Sequence, residues 1–294
     1  MSHRLESCLI HAGLLLAALL LIPPAAAAQT PDASSTPPPP PAEIELNLIN
    51  LPTTRSLKRH QSYFRLTHRF ARDLRRGDFG QLAEDLFSLD NGAIIGLEYR
   101  FGITERLQAG VHRSILSKTI ETFGRYDGWR QSETLPVSIS LIGSIEALNN
   151  MQEHPQPAIA AALSRTVGSR LVLYSMPAFV WNTAAADFLS GHEAHQHEGI
   201  GGAVDDDHGD HTMLLGLGGR VRVRPSVFVA GEYTPRLAGY DPGRGTWGVA
   251  LEKKTDGHTL QINFTNSFGT TLGQLARLGS LHDVYLGFNI TRLF

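Results

Sequence analysis

The chain has 294 residues, a formal net charge of −2 and 42% hydrophobic residues. That charge balance, without a basic tract, gives no footing for nucleic acid. The one cysteine, Cys8, lies in a stretch expected to be removed, so the mature chain would have neither a disulfide nor a catalytic thiol.

In chain order, Met1 to Ala28 reads as a cleaved secretory signal peptide. Arg4 lies in its basic region, Ile10 to Ile22 forms a mostly apolar core, and Ala26-Ala27-Ala28 has the small-residue cleavage pattern. Residues 29–43 carry six prolines, five of them consecutive from Pro37 to Pro41, and read as a disordered linker. Residues 44–61 follow as a periplasmic lead-in. Its apolar part, Ile44 to Leu51, ends at Pro52 and either stays in the periplasm or tucks into a barrel mouth. No later stretch is long and apolar enough for a transmembrane helix, so a membrane location requires a closed barrel.

The strands are written as period-2 alternation, because successive side chains of a strand point to opposite faces. Residues 62–71 alternate Phe64, Leu66, His68 and Phe70 with Tyr63, Arg65, Thr67 and Arg69. Residues 73–90 read as a loop with a helical turn near Phe79 to Phe87. Residues 91–115 form a hairpin that places Leu97, Tyr99, Phe101, Leu107 and Val111 against Glu98, Arg100, Gln108 and His112, with Arg113 as a charged break. Residues 119–126 are a less distinct strand, and 135–145 a clear one. Three further hairpins turn near Gly168, Pro225 and Asp256, and 281–294 closes the chain.

This reads as an all-β, antiparallel transmembrane barrel of about twelve strands of roughly ten residues, the length a tilted strand needs to cross a bilayer. The indistinct strand leaves ten or fourteen open. Short turns alternate with longer connections at 75–89, 187–211, 237–245 and 269–279, the outer-membrane pattern. A soluble sandwich or lipocalin-like barrel would also alternate. Against it stand the aromatics near strand ends, the charges on the non-apolar face, and the alternating C-terminal strand ending at Phe294.

Thr67-His68-Arg69-Phe70, Leu86-Phe87-Ser88-Leu89-Asp90, the run from Gly96 to Gly102 and Gly110-Val111-His112-Arg113-Ser114 resemble a bacterial family catalogued as domain of unknown function 5777. The resemblance runs from Asn50 to about Ser144. It implies a barrel in the cell envelope and supplies no activity or catalytic residue.

Three features could carry function. Arg65, Arg69, Glu98, Arg100, Arg220, Arg222, Glu232 and Glu252 are expected to face the lumen. There, Arg220, Arg222 and Arg224 either make a wall favouring anions or pair with Glu232 and Glu252 and fill the interior. The loop 191–211 holds five of the thirteen histidines. His192, His195, His197, His208 and His211, with Asp207 and Asp210, are candidate ligands for zinc or copper, or belong to a plain solvated loop. His112 with Ser114, and His68 with Asp90, are the residue types of a hydrolase but form no motif.

The function expected is therefore passive passage or uptake of a small solute. The alternative is a non-transporting envelope barrel that binds or supports, collecting metal through its histidine-rich loop; an envelope hydrolase is the remaining option. No cofactor is expected beyond that metal. The expected partners are outer-membrane lipid and, through the strand ending at Phe294, the barrel assembly machinery.

Overall fold

A computed structural model describes residues 43–90, 92–183, 211–240 and 244–294. Among them, twelve strands form a closed antiparallel barrel in which each strand pairs with its sequence neighbours. They are β1 (Ser62–Phe70), β2 (Ala93–Gly102), β3 (Leu107–Ser114), β4 (Ile120–Trp129), β5 (Ser138–Ala147), β6 (Glu153–Val167), β7 (Leu171–Val180), β8 (Thr212–Arg224), β9 (Val227–Ala238), β10 (Gly245–Lys254), β11 (His258–Thr265) and β12 (Tyr285–Leu293). Closure is at β1, where Leu66 lies opposite Leu97 of β2 on one side and Ile290 of β12 on the other.

The alternation sets the two faces. Leu97, Leu141, Ile159, Leu251 and Ile262 point outward and are exposed, while the residues between them are buried inside. A closed barrel pairs every strand edge, so it can present this apolar outer face to lipid without leaving backbone groups unpaired there. Arg113, the charged break in the outer set, lies at the end of β3 and donates to the carbonyls of Ser114 and Thr119.

The indistinct strand is β4. Its one bulky ring in the first half, Phe123, points inward across Gly110 of β3, which has no side chain to obstruct it. That reverses the apolar periodicity locally, and the register also shifts between Asp127 and Trp129.

Both ends of the barrel chain, Ser62 and Leu293, lie at one mouth, called here the terminal mouth. At the far mouth, the β1–β2 connection carries helix α1 (Phe79–Glu84), closed at its start by a capping box between Asp78 and Gln81. Of the two places expected for the apolar part of the lead-in, the barrel interior is the one occupied, over residues 44–54. They are buried inside the barrel, apart from partly exposed Pro52. The connection expected as an outer loop over 269–279 instead folds inward from the far mouth: residues 266–278 are buried, with helix α2 (Leu272–Arg277) at their centre.

Candidate functional site

The lumen is the candidate site, and its wall has two halves. From β11 through β12 to β4 the inward residues are polar or charged, among them Gln261, Asn289, Arg65, Glu98, His112 and Arg125. From β6 to β10 the middle of the wall is built from small and apolar residues: Ala158, Ala160, Ala162, Met176, Ala230 and Ala250.

Residues 44–54 form a hairpin inserted from the terminal mouth. Asn47 bridges to Pro52, Leu48 N–H donates to Leu51 O at 2.8 Å, and Thr53 N–H to Leu46 O at 2.9 Å. The tip is therefore Leu48-Ile49-Asn50-Leu51. Near the mouth, Thr54 and Ser164 hydroxyls meet, and Lys254 Nζ donates to Ile44 O at 3.4 Å. Both arms of the hairpin leave by the same opening.

The wall holds this tip through its backbone. The Glu232 carboxylate accepts from the N–H groups of Ile49 at 3.0 Å, Asn50 at 2.9 Å and Leu51 at 3.1 Å. Carbonyls are met in turn: Asn47 O by Arg220 at 2.8 Å, Leu48 O by Gln261 at 2.9 Å, and Ile49 O by Asn289 at 3.1 Å and by Arg65. Two side chains add to this, with Arg100 donating to Asn47 Oδ1 at 2.8 Å and Arg69 to Asn50 Oδ1 at 3.1 Å. A turn has no strand partner for its N–H and C=O groups, so in a closed interior side chains must supply one.

The apolar side chains of the tip face the other half of the wall. Gly216, Gly218 and Gly248 stand where they do because a larger residue would collide. A Cβ at Gly216 would lie 2.7 Å from Leu51 Cδ2, one at Gly248 2.9 Å from Ile49 Cδ1, and one at Gly218 would overlap Leu48. Glycines inside a strand mark such close approaches.

From the far mouth, α2 is held by Glu146, which accepts from Gly273 N–H at 3.0 Å and pairs with Arg277 at 3.1 Å. Thr271 caps the helix by accepting from Gln274 N–H at 3.2 Å, and Thr270 Oγ1 lies 3.3 Å from His112 Nε2. Leu272, Leu275 and Ala276 join the same apolar cluster as Leu48 and Leu51. Between hairpin and helix remains a small cavity of about 30 Å³, lined among others by Asn47, Arg65, Glu98, Arg100, Arg125 and Phe123.

All eight charged residues singled out in the sequence point inward and are buried. Their pairing differs from the simple cross-strand picture. Arg220 makes a two-pronged pair with Glu252 at 2.7 and 3.0 Å, whereas Glu232 holds the hairpin. Glu98 pairs with Arg65 at 3.2 Å and with Arg100, while Arg222 donates to Ser169 O. Sequence reasoning missed Gln261 and Asn289, the carbonyl donors, and Glu146, which holds α2. Their inward alternation was legible, but nothing in a strand pattern says that a second segment lies opposite.

The hydrolase pairs do not meet. Ser114 Oγ accepts from Leu116 N–H at 3.3 Å, while His112 faces Thr270 and lies 4.0 Å from Glu98. His68 stacks on Phe288 at 4.6 Å on the outer face, and no hydrogen bond or ion pair joins it to Asp90 among the described residues. Of the proposed metal ligands only His211 lies within the described residues, where its Nδ1 accepts from Asn182 N–H at 3.3 Å. His192, His195, His197, His208, Asp207 and Asp210 lie outside them. Among the described residues no three candidate ligands cluster.

No curated protein matches the chain. Among solved structures it is similar to the KdgM porin in complex with disordered oligogalacturonate, at 9% identity, covering 80% of this chain and 99% of that one, with a TM-score of 0.49. An outer membrane channel from Pseudomonas putida F1 overlaps at 12% identity, 82% and 98% coverage and a TM-score of 0.44. Outer membrane phospholipase A from Escherichia coli overlaps at 10% identity, 79% and 90% coverage and 0.42. At such identities none of these proteins' activities carries over. The family model described as a membrane bound beta barrel domain matches residues 45–294, hairpin and barrel together. The chain belongs to that family, domain of unknown function 5777, and is a membrane-bound β-barrel.

Proposed function

We propose that the barrel is a passive channel for small solutes, closed at rest by its own hairpin, 44–54. The observation that carries this reading is that the hairpin enters and leaves through one mouth, so it can withdraw without threading the barrel. The wall it would uncover supports the same reading. Arg220 is already paired with Glu252, Glu98 with Arg65 and Arg100, and Arg125 with Asp127 at 2.8 Å. Withdrawal would leave a wall whose polar groups water can hydrate, with these ion pairs intact, the kind of lining that carries solutes through barrel channels.

The test is current through a planar bilayer. A chain lacking residues 44–54, shown to be folded by its heat-dependent gel migration, should spend about tenfold more time open than the full chain, a shift of about 1.4 kcal/mol. If the deleted barrel is folded and stays silent, the closure is not the hairpin's and the channel reading falls.

A further inference from the structure

The chemistry that holds the hairpin tip is directed at peptide backbone rather than at particular side chains. Glu232 takes three consecutive N–H groups, while Arg220, Gln261, Asn289 and Arg65 take three consecutive carbonyls. Within residues 47–51 only Asn47 and Asn50 are read through polar side-chain atoms, by Arg100 and Arg69. The apolar side chains rest on a wall whose relief comes from glycine and alanine, which accept any compact apolar group. Recognition of this kind is independent of sequence to first order, because every peptide offers the same alternating donors and acceptors.

Beside the seated tip only a cavity of about 30 Å³ remains, room for about one or two waters, so an occupant of ligand size must take the place of the tip itself. Two of the cavity's lining residues keep buried donors with no acceptor among the described residues: Arg125 Nη1 and Asn47 Nδ2. Arg125 is 1% exposed. Buried donors are normally satisfied, and Arg125, which belongs to the wall, offers its donor to an oxygen acceptor of whatever replaces the tip. The apolar lining from Phe123, Ile142, Leu272 and Leu275 lies beside it.

We infer that this lumen binds short peptides with apolar side chains, and that the hairpin occupies the place of such a peptide until one displaces it. Calling the peptide a transported solute rests on the channel reading; the binding site itself does not. A tethered segment competes at an effective concentration in the millimolar range for short linkers, so free peptide is best tested against a weakened hairpin.

The experiment uses the full chain carrying Leu48→Ser and Leu51→Ser, which loosen the hairpin and leave the wall intact. It is titrated in detergent with capped Leu-Ile-Asn-Leu, with a capped apolar tetrapeptide of different sequence, Val-Leu-Gln-Val, and with octanoate. Both peptides should bind saturably and within about tenfold of each other, and adding Glu232→Gln should weaken both by about tenfold or more. Octanoate, which offers no N–H, should be indifferent to Glu232→Gln. Binding of Leu-Ile-Asn-Leu alone would make the wall a socket for its own hairpin and overturn the inference. So would peptide binding that ignores Glu232→Gln. If the double variant does not fold, the full chain with Asn50→Cys is used instead. Millimolar peptide of either sequence should speed modification of that thiol by a water-soluble reagent, and no acceleration would overturn the inference. Peptide binding in a barrel that never conducts would leave the site standing and remove the channel, whereas conduction without peptide binding would do the reverse.

Discussion

Glu232 accepts three neighbouring backbone N–H groups, and it is the residue on which closure turns. Glu232→Gln keeps the shape but removes the charge and one acceptor oxygen, leaving buried N–H groups short of a partner. That should cost about 1–3 kcal/mol of hairpin anchoring. The barrel wall is otherwise untouched, so current recordings should show more frequent opening while the heat-dependent gel migration stays as in the unaltered chain. An unchanged open fraction would mean that the carboxylate does not hold the tip. The alternation made Glu232 legible as inward, together with Arg220 and Glu252, but did not reveal which of them meet. On the sheet Arg220 lies opposite Ala230, and Ala230 opposite Ala250. The small residue between lets Arg220 reach across β9 to Glu252. Partner choice thus depends on register and on neighbour size two strands away, which no single strand's pattern contains.

The strands were legible as elements because each carries its own period, and β4 was the least distinct because Phe123 turns inward over Gly110. The two inserted elements were not. Ile44 to Leu51 was readable as an apolar stretch, yet its hydrogen bonds go to side chains of β1, β2, β8, β9, β10, β11 and β12, contacts without periodicity. Helix α2 places Leu272, Leu275 and Ala276 at helical spacing, but six residues are too few for that spacing to stand out. One pattern did bear on the hairpin. Gly216 and Gly218, two apart on one strand, leave a gap on the inner face that something must fill. Gly216→Val should therefore crowd Leu51 and push the tip outward. Small-to-large changes in packed sites typically cost about 1–3 kcal/mol. A hairpin that can leave relieves this by leaving, so the variant should fold and conduct more. A folded variant that remains as closed as the unaltered chain would contradict the placement of Leu51.

At the scale of the whole molecule, lipid-facing apolar residues surround a lumen entered from both mouths, by the hairpin on one side and α2 on the other. The account asks these two to behave differently. The connection carrying α2 is covalently tied to β11 and β12 and anchored by Glu146, whereas the hairpin precedes β1 and both its arms share one opening. The most direct test locks the hairpin reversibly. Thr54 and Ser164, whose hydroxyls touch, are replaced by cysteine in a chain beginning after Ala28, which has no other thiol. Single-channel current is then recorded from one preparation, oxidised and afterwards reduced. Silence is expected in the oxidised state, and discrete openings on reduction. Equal conduction in both states, with the disulfide shown to have formed, would contradict closure by the hairpin.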